Sequence, residues 1–109
     1  MSDESQIQVP DSFVALFVSK PGSKPSEPRE LVAQRYELCE DMAQMLSETA
    51  RIKAMDLGVD EAQVLLRVHE GLLASDVLKA GEPLWVVRRI AEVLYWPLPA
   101  PLEWRDEQG

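Results

Sequence analysis

The stretch that decides the fold is PRELVAQRYELCEDMAQMLSETARIKAMDL, residues 28–57. Within it Val32, Tyr36, Cys39, Ala43, Leu46, Ala50 and Leu57 follow one another at alternating four- and three-residue steps, with Lys53 as the one break. That spacing keeps side chains on one side of an α-helix. A second row, Leu31, Leu38, Met45 and Ile52, recurs every seven residues. With Met42, the two rows cover about half of the helix circumference, wider than the stripe of an ordinary surface helix. Glu37, Glu40, Asp41, Gln44, Glu48 and Arg51 fall on the opposite side. One continuous helix is expected here, capped by Ser26 or Glu27, with Pro28 in its first turn and Glu30 near its positive end. A face so broad needs more than one neighbour: later helices, the N-terminal segment, or another copy of the chain.

Toward the C-terminus, Gly58 closes this helix as a left-handed cap residue. Asp60 and Gln63 then have the spacing of a capping box. A second helix runs to about Ala74, with Val64, Leu65, Val68, Leu72 and Leu73 inward. Gly71 inside it costs about 1 kcal/mol relative to alanine, or else allows another helix to come close. Ser75 starts a short helical turn that Gly81 stops. Glu82 and Pro83 open the last helix, which places Leu84, Val87, Ile90, Ala91 and Leu94 on one face and ends at Pro97. The run Pro97–Pro101 is too proline-rich for helix and reads as extended, with Leu102 and Trp104 docking back on the helices.

Toward the N-terminus, residues 19–28 contain three prolines and a glycine and form a linker. Before it, Phe13, Leu16 and Phe17 stand at helical spacing behind Pro10, while Val14 and Val18 suit a strand equally; we read a short helix. Residues 1–9 are polar. The fold class is therefore all-α. It is an irregular three- to four-helix bundle with a short N-terminal apolar segment and an extended Pro-rich C-terminal tail. The organisation is 1–27 segment and linker, 28–96 helical core, and 97–109 tail.

The 109 residues suit one domain, and an apolar fraction of 46% with 28% charged residues is that of a globular chain. Net charge is −8, and residues 1–27, 28–57, 58–81 and 82–109 each carry −2. There is no basic arm to displace counterions from a phosphate backbone, and an anionic bilayer is repelled in the same way. The N-terminus is acidic where a signal peptide is basic, and Phe13–Val18 is far too short to span a membrane. Cys39 stands alone, so no internal disulfide forms. These features point to the cytoplasm, with no membrane contact and no nucleic-acid partner.

Chemistry is sparse. One histidine and one cysteine do not make a metal centre, and no metal or cofactor is expected. Cys39 lies in the apolar stripe as a small core residue; a Cys39–His69 nucleophilic pair is the enzymatic alternative. Arg88 and Arg89 beside Trp85 give the last two helices a helix–turn–helix flavour, the alternative of a transcriptional regulator. The aromatic residues carry more weight. They form the ends of the core or, exposed, anchor a partner. The candidate partner-binding residues are Phe13, Leu16 and Phe17 on the N-terminal segment, Leu38, Met45 and Ile52 on the long helix, and Trp85, Trp96 and Trp104. The Phe13–Phe17 segment, held on a proline linker, reads as an element able to detach or swap, so Phe13→Ala is expected to spare folding.

The string from Val9 to Val18, then Pro28-Arg-Glu, then Arg35 to Asp41, is similar to a group of short proteobacterial proteins that carry the label of an ATPase with chaperone activity. The resemblance extends from Ile7 to Trp96. It implies a bacterial cytosolic accessory role near a chaperone or protease machine, and it brings no catalytic residues with it. No Gly-Lys pair of a phosphate loop is present, which argues against ATP hydrolysis by that mechanism. The expected function is that of a small acidic interaction protein binding another protein or itself, a homodimer being one form.

Overall fold

The computed structural model describes residues 8–102. It is all-α: α1 (Asp11–Val14), α2 (Arg29–Leu57), α3 (Glu61–Leu73) and α4 (Glu82–Leu94) are joined into a bundle, and no strand occurs among the described residues. At 1.5 Å per residue the 29 residues of α2 make it about 43 Å long. None of the described helices is long and apolar enough to cross a membrane.

The caps of α2 are backbone devices. Pro28 is the N-cap residue rather than part of the first turn, and its carbonyl accepts from Val32 N at 3.0 Å. Neither Ser26 nor Glu27 caps the helix. Gly58 ends it at φ 64°, ψ 25°, the left-handed conformation that a residue without Cβ adopts freely. Asp60 is the N-cap of α3 but makes no side-chain cap bond, so the capping box does not form. A Cβ on Gly71 would meet nothing within 4 Å, so no helix approaches there. Leu73 is 61% exposed rather than inward, because α3 turns only Val64, Leu65 and Leu72 fully into the core.

α4 is the central element. It packs along α2 and against α3, and it buries Glu82, Pro83, Trp85, Val86, Val87, Ile90 and Ala91. Burial on this many sides explains why the one-face reading missed Trp85 and Val86, and why Leu84 and Leu94 are only half-buried. Opposite α4, α2 contributes Val32, Cys39, Ala43, Ser47 and Ala50. These are small side chains that let the two helices approach closely. Ser47 satisfies its buried hydroxyl by donating to Ala43 O at 2.7 Å.

The connector 75–81 is a set of bends and turns, not a helical turn. Tyr95, not Pro97, ends α4: it adopts φ 58°, ψ 38°, while Trp96 N donates to Ala91 O at 2.9 Å and Tyr95 N to Glu92 O at 3.3 Å. This is a Schellman closure built on a tyrosine. The tail is irregular over 97–99 and then makes a 3-10 turn, Ala100–Leu102, instead of staying extended. Leu102 docks into the core at 2% exposure, as the sequence implied. Trp104 lies outside the described residues.

Candidate functional site

Three regions hold the candidate residues. The first is an aromatic cluster that fastens the N-terminal segment. The ring of Phe13 lies 5.1 Å from Trp85, 5.7 Å from Phe17 and 5.7 Å from Tyr36, and Tyr36 lies 5.8 Å from Trp85. Three of these four contacts are edge-to-face, which aligns ring edges with the electron-rich faces. Trp85 Nε1 donates to Ser12 Oγ at 3.0 Å, so the indole is satisfied as well as covered. Leu16 closes over Gly81, where φ is 86° and a Cβ would sit 2.9 Å from Leu16 Cδ2. Phe13 is 0% exposed and Trp85 5%, with Leu16 and Phe17 half-buried. The segment is thus part of the chain's own core, and this corrects the expectation that Phe13→Ala spares folding: a partner could reach Phe13 or Trp85 only by displacing it.

The second region is a pair of ion clusters that sequence reading did not anticipate. Glu82 is 1% exposed in the first turn of α4, yet it is fully engaged. Arg35 Nε donates to its Oε2 at 3.0 Å, Arg35 Nη2 and Lys79 N donate to Oε1, and Arg35 Nη2 also reaches Val77 O at 2.9 Å. The hydrogen bond to Glu82 raises the Arg35 pKa further. One carboxylate thereby pins α2, the connector and α4 together. Arg89 is shared by Glu40, at 2.8 and 3.1 Å, and Glu92, at 3.0 Å. Burial pushes the Glu40 carboxyl up, but hydrogen bonds from Arg89 and Gln44 outweigh this and leave it below the usual carboxylate range. A guanidinium so occupied offers little to a DNA phosphate. A charged residue at a helix start reads as solvated, so Glu82 was invisible in sequence; only its place beside Pro83 marks it.

Cys39 is fully buried on α2. Burial first, and the nearby Glu82 carboxylate second, push its thiol up to about 12. It is protonated at neutral pH and is no nucleophile. His69 sits half-buried on α3. No three His, Cys, Asp or Glu side chains converge to hold a metal ion among the described residues.

The third region is the outer edge of α2. Its inner row is covered except at Leu57, which was expected on that row but is 65% exposed in the last turn, whereas the outer row of Leu31, Leu38, Met45 and Ile52 is only partly covered. Leu31 and Leu38 are half-buried, Ile52 is 43% exposed and Met45 65%. Met55 and Leu57 extend the exposed apolar surface toward the helix end. Glu37 and Gln44 remain outside, as the pattern requires. On α4, two grooves of about 580 and 410 Å³ share Arg88 and Glu92. The smaller is floored by Ala91, Trp96 and Leu98 and edged by Tyr95, which is 93% exposed; Trp96 itself is half-buried. The structure therefore groups Phe13, Leu16, Phe17 and Trp85 as internal packing, leaves Met45 and Ile52 on a separate outward face, and sets Trp96 in a groove wall. No protein-family profile, curated protein or solved structure matches the chain.

Proposed function

We propose that this chain is a non-enzymatic, cytoplasmic protein-interaction module whose contact face is the outer edge of α2. The supporting observation is the exposure of Met45 and Ile52 in the same heptad row as the half-buried Leu31 and Leu38. The two clusters that bear chemistry are occupied with holding the fold together: Glu82 and Arg35 with the connector, Arg89 with Glu40 and Glu92. An apolar row on a long rigid helix is a standard way to present a contact surface, and each Met or Ile fully buried there contributes about 1.5–3 kcal/mol. Methionine adds adaptability, since its thioether repacks against varied surfaces. An accessory role beside a chaperone or protease is the biological setting the resemblance implies. The test is a Met45→Glu, Ile52→Glu double variant. It keeps the wild-type circular dichroism and thermal midpoint but loses the protein adducts that wild type retains in the cytosol. Equal recovery of those adducts by a folded double variant rejects this face.

A further inference from the structure

We infer that the N-terminal segment, residues 10–18, is a gate: it undocks as one unit on the tether 19–28 while α2, α3 and α4 stay folded, and so opens the larger groove on α4. The inference is independent of the α2 edge. Among the described residues, the backbone hydrogen bonds of residues 10–26 all stay within that stretch. Phe13 N and Val14 N donate to Pro10 O, Val18 N to Ala15 O, Ser23 N to Lys20 O and Ser26 N to Phe17 O. None reaches α2, α3 or α4. One side-chain hydrogen bond crosses over, from Trp85 Nε1 to Ser12 Oγ. The rest of the attachment is apolar, with Phe13 against Tyr36 and Trp85, and Leu16 over Gly81.

Leaving the groove therefore breaks no backbone bond of the helical body. That body is held by ties of its own, from Arg35 and Lys79 N to Glu82 and from Arg89 to Glu40. The tether is free to follow: residues 19–28 are all exposed, and fully extended they span about 33 Å, enough to carry the segment clear. A short unit docked only through side chains opens at a lower free energy than the whole molecule unfolds. The groove of about 580 Å³ has Pro10, Ser12 and Ala15 as one wall, with Tyr36 and Trp85 among the residues facing them. Once that wall has left, the groove becomes an open trough with the phenol and indole rings turned to solvent.

Native-state hydrogen exchange on the full chain, over a series of low urea concentrations, tests the gate. The amides of Val14, Ala15 and Val18 share one protection factor, at least about tenfold below those of Cys39 in α2 and Ile90 in α4, and their urea dependence is shallower. Val64→Ala, which removes buried volume from α3, speeds exchange at Cys39 and Ile90 and leaves the three segment amides unchanged. Segment amides with the same protection and urea slope as Ile90, or segment amides that quicken with the body in Val64→Ala, overturn the gate: the segment then leaves only when the whole chain unfolds. Val14 and Val18 exchanging with different urea slopes would overturn its opening as one unit.

Discussion

Phe13 occupies the centre of four aromatic rings and is fully buried, although it lies on a four-residue helix held by a proline-rich linker. Its truncation leaves a cavity between Trp85 and Tyr36. Phe13→Ala therefore costs about 3–5 kcal/mol, measured as a fall in the urea midpoint with unchanged slope. A loss under about 1 kcal/mol would show the segment to be undocked. Helical spacing of Phe13, Leu16 and Phe17 was legible in the sequence, but their destination was not: nothing in the local pattern distinguishes a face packed on its own core from one kept for a partner. The same limit applies at single backbone positions. Gly58 announces its left-handed turn because glycine is the residue such a turn favours, whereas Tyr95 takes a left-handed conformation that its Cβ opposes, and no local signal marks it.

Among the elements, the period of α2 and its glycine stop were readable because every turn repeats the same choice of apolar or small residue. The one-face pattern of α4 was incomplete, since a helix covered by α2, α3 and the N-terminal segment buries residues all round, Glu82 among them. The two ion clusters join distant parts of the chain, and sequence distance hides them. The Glu40–Arg89 pair ties α2 to α4 and makes a specific pH dependence. The Glu40 carboxyl is held below its ordinary value of 4.5, so the pair's stabilisation is complete above about pH 4.5 and disappears as pH falls through the lower folded value. Glu40→Gln, which cannot titrate, is expected to be less stable than wild type at neutral pH and to lose less stability between roughly pH 5 and pH 3. Parallel pH–stability curves for the two proteins, by chemical denaturation at each pH, would show that the pair carries no such linkage.

For the molecule as a whole, the width of the α2 face was the most informative feature of the sequence. Half the circumference was apolar, and the neighbours were expected to be later helices, the N-terminal segment or another chain. α4 and α3 take the inner row through Val32, Cys39, Ala43 and Ala50; the N-terminal segment reaches Tyr36. Met45 and Ile52 are left over. Periodicity shows how much apolar surface a helix carries, but only the assembled bundle shows which part of it goes uncovered, and that difference separates core from contact face. The most direct measurement places a photo-reactive phenylalanine analogue at Met45 in the intact chain in living cells, with the same group at Glu61, exposed on α3, as control. Irradiation should give a discrete protein adduct from position 45 and none from position 61. No adduct from position 45, in a chain that folds and accumulates normally, would mean that this face stays in water and that the contact surface does not exist.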